Sequence, residues 1–439
     1  MATNADVVGA YLEKVRPKLQ PLMEMTGTIG QKIKKGGEQH KISTWAQTLS
    51  SGQTLAAFRV PLQRYEGGDY GTYDPNGGDL GAGSMTRVDF MSMGHFPDRV
   101  AIQIPLLAAQ SSASSEQSVI DVVKYQLKMA LKTYGVYYDT GIAQDGTGVL
   151  ATANGTGSPA TTNPTYNLEA NYGAQLLRRN QTVDIYDSTL ASKKKAGVRI
   201  ATMSPGSKTC SITAAASDGA AYANTDVIAF AGMTPTLAVG SWRNGIQTFN
   251  NSATSGYTLG LDRSVVDGLV SQSYAAGGAK LNADMFLLLS DLRTQVRDEE
   301  ELAGTEGIAH MSQRASWYKE GQIISEWYRG NADKMPDLVP KEIKHDTTFQ
   351  AAGVVHTVWK KQRRDRIDWF IPKNYCRAVL HDATYYQTPE GQKFFTLRNS
   401  TTANPAAGFQ AYIIADDNVV DVDPGAGAFI SGLQILSGY

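Results

Sequence analysis

The sequence predicts an α+β protein, and two patterns carry that prediction. Residues 114–134 (SSEQSVIDVVKYQLKMALKTY) have apolar positions at helical spacing over about six turns. Several shorter stretches alternate apolar and polar residues with period two, which is typical of half-buried strands. Glycine accounts for 43 of 439 residues, above the usual level of about 7%, and this indicates many turns and a large share of β structure.

Length and composition limit the class of protein. A chain of 439 residues exceeds one ordinary core, so two or three domains are expected. Hydrophobic residues at 42% and charged residues at 19% are values typical of a globular protein. The net charge of −1 excludes a bulk polycation, so any contact with nucleic acid has to be a local patch.

Cysteine content and hydropathy indicate the compartment. Cys210 and Cys376 are the only cysteines, too few for a disulfide framework or a cysteine zinc site, and a reduced cytosolic origin fits. The first residues, MATNADVVGAYLEKVRPK, lack the apolar core of a signal or transit peptide. No run approaches 18 apolar residues, so no membrane span is expected.

Helical periodicity predicts four helices. Residues 5–25 have helical spacing interrupted by two prolines, and the basic stretch KIKKGGEQHK that follows suggests an arm. The helix at 114–134 begins with a capping box, and Gly135 is expected to end it. Residues 282–302 and a shorter stretch at 317–328 complete the set. The apolar face of 282–302 is expected to consist of Met285, Leu288, Leu289, Leu292 and Val296.

Alternation at 54–62, 86–90 and 99–104 predicts strands, the first two of which form a hairpin. The connection between them contains EGGDYGTYDPNGGDLGAG, at 66–83, with seven glycines. It is far longer than the two to five residues that a hairpin turn needs. We therefore expect its tip to touch something outside its own domain.

A second group of short β segments lies between residues 183 and 261: VDIY, GVRIATM, TCSITAA, DVIAFAG and YTLGL. This pattern predicts a small all-β module, interpreted as an insertion. The segments VVHTVWKK, RIDWFIP and GFQAYIIA predict later strands.

A search for catalytic chemistry finds no recognisable motif. The glycine-rich stretch carries four carboxylates and no lysine or arginine, and no phosphate-binding G-x-x-x-x-G-K-[ST] occurs. The six histidines lack metal-ligand spacing, and no nucleophile signature appears. The acidic run 416–423 is interpreted as a strand and turn, and residues 298–300 as the solvated end of a helix.

Three basic clusters have two interpretations. They are Lys32, Lys34 and Lys35; residues 193–195; and the lysines and arginines of 360–366. Solvated surface is the simpler interpretation, and sequence-independent contact with phosphates is the alternative.

The order of these elements resembles the major capsid proteins of tailed bacteriophages, which have the Hong Kong 97 type of fold. The arm, hairpin, long helix, β insertion and late helix-plus-strand region follow one another in that order. Local stretches add to the resemblance: TGIAQDGTGVL, LLRRNQTVDIYD, YTLGLDRSVVDGLV and GFQAYIIADDNVVDVDPGAGAFISGL. It spans roughly residues 50–435.

The resemblance implies a division of the chain into six parts. They are an N-terminal arm (1–50), an E-loop hairpin (51–107), a peripheral domain with the spine helix (108–182), a β-rich insertion (183–265), an axial domain (266–400) and a returning C-terminal strand (401–439). The E-loop tip would lie across a neighbouring subunit through Asp69, Tyr70, Tyr73, Asp74 and Asp79. Lys32, Lys34 and Lys35 would face the interior and contact scaffold or DNA.

The function implied is non-enzymatic and requires no cofactor or metal. Hexamers and pentamers of this chain would form an icosahedral shell around double-stranded DNA, made in the host cytoplasm and retained in the virion. About fifty residues precede the hairpin, so a separate scaffolding protein is expected, with a portal and a decoration protein as further partners. Two alternatives stay open: an encapsulin-like nanocompartment shell, and a β-rich polysaccharide-active or polysaccharide-binding protein.

Overall fold

The α+β class is confirmed by a computed structural model in which helices and four β-sheets are interleaved along the chain. The residues it describes are 29–30, 32–33, 43–48, 54–65, 71–72, 75, 83, 85, 87–94, 96–105, 116–155, 164–213, 222–232, 243–250, 270–275, 278–328, 348–386, 395–398 and 405–439.

The helices are α1 (Glu116–Ile142), α2 (Ile246–Phe249), α3 (Ala283–Val296) and α4 (Met311–Tyr328). The strands are β1 (Ser43–Thr48), β2 (Thr54–Tyr65), β3 (Arg87–Gly94), β4 (Pro97–Pro105), β5 (Val149–Thr152), β6 (Thr165–Asn167), β7 (Thr182–Tyr186), β8 (Lys193–Ser204), β9 (Thr209–Thr213), β10 (Val227–Phe230), β11 (Val270–Ser273), β12 (Glu306–Ala309), β13 (Thr348–Ala351), β14 (Val354–Val358), β15 (Arg366–Phe370), β16 (Tyr375–Tyr385), β17 (Phe395–Arg398), β18 (Pro405–Asp421) and β19 (Ala428–Ser431).

The predicted hairpin is confirmed as β2 and β3, with β1 added along one edge. The three strands are antiparallel in the order β1-β2-β3. β1 pairs with β2 only as far as Arg59, opposite Ser43. β2 and β3 continue alone to the pair Tyr65 and Arg87. The outer part of this ribbon is therefore two-stranded.

The long helix α1 passes through Gly135, so the prediction that this glycine ends it is wrong. Glycine inside a helix costs about 1 kcal/mol relative to alanine, and packing on both sides of it outweighs that amount. Tyr134 and Tyr138 stack with ring centroids 6.2 Å apart, one turn from each other across the glycine. The buried Ala130 and Leu131 belong to the predicted apolar stripe. α1 packs against β4, which pairs with the long strand β18.

The second sheet closes into a six-stranded antiparallel barrel. Its strands follow the order β5-β10-β7-β8-β9-β6. The first and last strands meet through a bridge between Ala153 and Leu168 and through a hydrogen bond from the Asn154 N–H to the Asn167 carbonyl (3.0 Å). Every strand contributes to one buried apolar cluster, which includes Leu150, Tyr166, Ile185, Ile200, Ile212 and Ile228.

The barrel includes the described segments of the predicted β insertion. Four predicted segments of 183–261 correspond to β7, β8, β9 and β10. The fifth, YTLGL, lies outside the described residues. β5 and β6 complete the barrel from residues that precede 183, and the domain boundaries themselves stay a prediction.

The third sheet is mixed, in the order β11-β19-β15-β12-β14-β13, with parallel pairs β11/β19 and β12/β14. α3 and α4 bring aromatic side chains onto it. The Phe286 ring on α3 stacks on Trp369 of β15 (centroids 6.3 Å apart) and meets Trp317 of α4 edge-on (5.2 Å).

The predicted apolar face of α3 is partly wrong. Met285 and Leu289 are buried as expected, together with Phe286 and Arg293. Leu288 and Val296, however, are 49% and 52% exposed. The helix is rotated so that Phe286 enters the aromatic cluster, which turns Leu288 outward, and Val296 lies at the exposed last turn. α3 also ends before residues 298–300, which are exposed as predicted.

Two buried clusters form the core. The larger one joins the barrel to the end of α1, to β18 and to Ile29 and Ile33. The smaller one lies between α3 and the third sheet. In the part of the chain that the structure describes, no helix is both long and apolar enough to cross a membrane.

Candidate assembly site

The ribbon β1–β3 is the first feature of a possible assembly site. Its strands pair with one another, and no other described element covers it to a comparable extent. An isolated two-stranded hairpin is at best marginally stable in water, so its outer part needs another surface. The ribbon is therefore suited to contact a different molecule.

The predicted tip residues lie outside the described residues. They are Asp69, Tyr70, Tyr73, Asp74 and Asp79. Of the positions around them, Gly71, Thr72, Pro75 and Gly83 are exposed, and Met85 is 88% exposed. The contact of the tip with a neighbour stays a prediction.

The base of the ribbon is anchored by a buried ionic cluster. Phe96 lies two residues after the end of β3 and is 3% exposed, and its carbonyl accepts the N–H of Asp417 (3.3 Å). The Arg243 guanidinium lies over the Phe96 ring, 5.2 Å from its centroid, and pairs with Asp98 of β4. The ribbon thus leaves the body at a point fixed by Arg243.

Asp417 is the centre of this cluster. Its side chain is fully buried and accepts hydrogen bonds from Arg243 Nη1 (2.9 Å) and Arg377 Nε (2.6 Å). Burial acts to raise the pKa of Asp417, but the two guanidiniums hold it below its ordinary value. Two positive charges on one carboxylate make this a strongly coupled network.

The pKa of Asp98 is shifted in the opposite direction from that of Asp417 because the surroundings of the two carboxylates differ. Burial raises the pKa of Asp98 to about 6; Arg243 opposes the rise, while Asp417 and Asp416 add to it. Asp98 therefore changes charge in mildly acidic solution, whereas Asp417 stays ionised.

Segment 243–250 connects this cluster to the third sheet, and all its residues are buried. At one end the Asn244 N–H donates to Asn418 Oδ1 (2.9 Å). At the other end Asn250 Nδ2 donates to the Trp369 carbonyl (3.0 Å), and Arg366 donates to the Asn250 carbonyl. Gly141 on α1 leaves room for Arg243, since a Cβ there would overlap the arginine side chain. The segment ties the ribbon base and the third sheet into one unit.

Lys32 is the only predicted arm lysine among the described residues. Its ammonium pairs with Glu306 of β12 and donates to Thr357 Oγ1 of β14 (2.9 Å). Ile29 and Ile33, on either side of it, are buried in the larger core. Lys34 and Lys35 lie outside the described residues, so the role of the arm stays a prediction.

The basic run 193–195 is largely neutralised within the chain. Lys193 pairs with Asp184 (2.8 Å) and Lys194 with Asp226 (2.5 Å). Lys195 lies over the Tyr222 ring. This stretch is therefore a poor candidate for contact with phosphates.

Most of the basic cluster at 360–366 is also internal. Arg363 pairs with Asp365 (2.7 Å) and Arg366 with Asp368 (2.7 Å). Arg364 is buried and donates to the Pro205 carbonyl (3.1 Å). Lys360 alone is exposed in this cluster.

The remaining candidates for chemistry are structural. The predicted strand in the run 416–423 is confirmed by β18, and the described residues contain no group of His, Cys, Asp and Glu that could hold a metal ion. Cys376 is buried as expected, and Cys210 is buried too. Sequence reasoning missed Asp98, Arg243 and Arg377, because no local pattern relates charges so far apart in the chain.

No protein-family model and no curated protein matches the chain. Solved structures that resemble it include the capsid asymmetric unit of cyanophage A-1(L), at a TM-score of 0.45 and 8% identity, with 92% of each chain covered. A virus-like particle from Pyrococcus furiosus matches at 0.39 and 8%, over 95% of this chain and 98% of the other. Mycobacterium phage Bobi matches at 0.38 and 8%, over 91% and 89%. Because these TM-scores are below 0.5, function has to be inferred from the chain's own geometry.

Proposed function

We propose that this chain is the major capsid protein of a tailed phage, with the Hong Kong 97 type of fold. Copies associate into hexamers and pentamers of an icosahedral shell that encloses double-stranded DNA. The chain acts as a structural protein and not as an enzyme. The observation that carries the proposal is the ribbon β1–β3, whose strands pair with one another and which no other described element covers to a comparable extent.

The anchoring of the ribbon supports an assembly role. A strand pair that served only the fold of its own subunit would pack on the core. In the described part of the chain, this one pairs only with its own strands and joins the body beside Phe96 and Asp98, at the cluster around Arg243 and Asp417. A base held by this cluster, with an outer part that no other described element covers to a comparable extent, is suited to reaching a neighbouring subunit.

The extended elements support the same proposal. α1 has 27 residues, which at about 1.5 Å each gives a helix of roughly 40 Å. β18 has 17 residues and pairs with β4, β16 and β17. Long elements of this kind can carry contacts across a wide subunit. A separate scaffolding protein, a portal and a decoration protein are the further partners of this proposal.

Negative-stain electron microscopy of the purified protein, together with light scattering, tests the proposal. The expected result is uniform closed particles that contain many copies of the chain. A stable monomer at high concentration that hydrolyses or binds polysaccharide would contradict it and would favour the polysaccharide-active or polysaccharide-binding alternative. Particles that form in phage-infected cells and contain DNA distinguish a capsid from an encapsulin-like compartment.

A further inference from the structure

We infer that Lys132, Arg178, Arg179 and Lys360 form a surface that binds the phosphate backbone of double-stranded DNA. We call these four residues the basic junction. They come from three separate parts of the chain: α1, the connection before β7, and the turn after β14. The inference rests on the proposed capsid function for its biological setting, and it identifies the side of the subunit that faces the genome.

Lys361 brings these parts together. Its buried ammonium donates to the Val136 carbonyl and to Thr140 Oγ1, so the turn after β14 lies against α1. Lys132 is exposed and lies one turn before Val136 on the same helix. Gln175, three residues before Arg178, donates to the Gln362 carbonyl (2.6 Å). Lys360 and Arg178 are therefore held beside the same stretch of α1.

Burial and the neighbouring charges shift the pKa of Lys361. Burial lowers the pKa of Lys361 to about 7; Asp139 opposes the shift, and the positive charges of Lys360 and Arg178 add to it. Both cations are thus close enough to repel the Lys361 ammonium. The arrangement keeps positive charges together where an anion outside the protein can reach them.

The basic junction differs from the other basic clusters because its charges are not neutralised. None of its four residues forms an ion pair with a carboxylate in the described part of the chain. The side chains of Lys132, Arg179 and Lys360 are exposed. Asp139, whose charge acts to raise the pKa of Lys361, is itself buried and accepts the Gly30 N–H (3.2 Å).

Double-stranded DNA fits this surface better than a specific small anion does. Lys132, Arg179 and Lys360 are exposed and Arg178 is half-buried, and the four cations come from three separate parts of the chain, so they suit an extended array of phosphates. Contacts of this kind do not depend on sequence and are strongly salt-dependent, since each neutralised phosphate releases counterions. A packaged genome of arbitrary sequence requires this type of contact.

The test measures binding of a short blunt-ended duplex DNA to the purified full-length chain by fluorescence anisotropy over a range of salt concentrations. The variant carries Lys132→Gln, Arg178→Gln, Arg179→Gln and Lys360→Gln. The slope of log K against log[salt] should become shallower by roughly 0.9 for each phosphate that the protein no longer neutralises. A control with Lys280→Gln and Lys319→Gln removes two exposed cations elsewhere and should keep the wild-type slope.

A second variant, Arg179→Gln with Lys360→Gln, changes only exposed side chains and serves if the fourfold change impairs folding. An unchanged slope in this pair, with wild-type thermal stability, would overturn the inference. Particle formation is recorded separately. Variants that assemble normally and bind DNA with the wild-type slope disprove the DNA-binding role of the basic junction and leave the capsid proposal unaffected. A wild-type chain that never assembles disproves the capsid proposal.

Discussion

Arg243 and Asp417 are separated by 174 positions in the sequence, yet Nη1 of the arginine donates to Oδ1 of the aspartate over 2.9 Å in the interior. The side chain of the arginine is 2% exposed and that of the aspartate is fully buried. This pair connects segment 243–250 to β18 at the base of the ribbon. We therefore expect this contact to stabilise both the fold and the attachment of the ribbon base.

Arg243→Met should destabilise the subunit by roughly 3–5 kcal/mol, because it leaves Asp98 and Asp417 without their shared partner. Urea unfolding measures the change. Arg297→Met is the matched control: Arg297 pairs with Asp423 at 2.8 Å, but both side chains are partly exposed, so the expected loss is below about 1 kcal/mol. Equal losses of unfolding free energy in the two variants would show that the buried cluster stabilises the subunit no more than a partly exposed ion pair does.

Gly307→Ala should destabilise the subunit by roughly 1–3 kcal/mol through overpacking. Gly307 of β12 lies beside His356 of β14, and a Cβ there would overlap the imidazole. That ring cannot move away easily, since it stacks on Phe349 (4.7 Å) and accepts Trp369 Nε1–H (2.7 Å). Gly206→Ala, at a position with no atom near its Cβ, should stay within about 0.5 kcal/mol. Calorimetry on both variants measures these changes in stability.

Acid should destabilise the fold through its buried histidines. Burial lowers the pKa of His356 to about 4 and that of His310 to about 3, with Arg364 adding to the shift of His310. As the pH falls below about 6.5, the unfolded chain gains protons that the folded chain does not. Each histidine then costs about 1.4 kcal/mol per pH unit, until the pH reaches its folded pKa.

His356→Gln, which keeps an acceptor for Trp369, should make this loss shallower by about 1.4 kcal/mol per pH unit between pH 6.5 and 4. Asp98→Asn should have the opposite effect. The pKa of Asp98 is raised to about 6, so its protonation favours the folded state as the pH falls from 6 to 4, and the variant lacks that stabilisation. Urea titrations at several pH values measure both slopes. Parallel curves for wild type and both variants would contradict these assignments.

Mature particles should contain no covalent links between subunits. No lysine lies between Lys41 and Lys124, so the hairpin lacks the amine that an isopeptide bond from this segment would need. Cys210 and Cys376 are 1% and 3% exposed, which keeps them from pairing across a subunit boundary. An unreduced, boiled denaturing gel should give a single band at the 47.4 kDa of one chain. A ladder of multimers would be incompatible with this expectation.

Local patterns in the sequence predicted much of the secondary structure. The alternation at 54–62 and 99–104 corresponds to β2 and β4, and the stripe at 114–134 to α1. The continuation of α1 past Gly135 was not predictable, because tertiary contacts of Tyr138 with Arg243 and of the Val136 carbonyl with Lys361 determine it. Short buried strands such as β5 and β6 carry too few residues for a period to be recognised.

The ionic cluster and the basic junction could not be predicted for a different reason. Asp98, Arg243 and Asp417 come from distant parts of the chain, and only the folded arrangement brings them together. The sequence shows runs of charge at 193–195 and 360–366 but not their partners. The fold neutralises most of these charges internally and leaves Lys360 exposed.

The proposal that the ribbon joins neighbouring subunits is tested most directly by electron micrographs of the wild-type protein and of a variant that lacks residues 67–81. We expect closed particles from the wild type. From the deletion we expect folded, soluble subunits with wild-type circular dichroism and no particles, because the buried clusters of the described residues lie outside this segment while the proposed contact between subunits is removed. Normal particles from the deletion would contradict the claim that the ribbon holds the shell together.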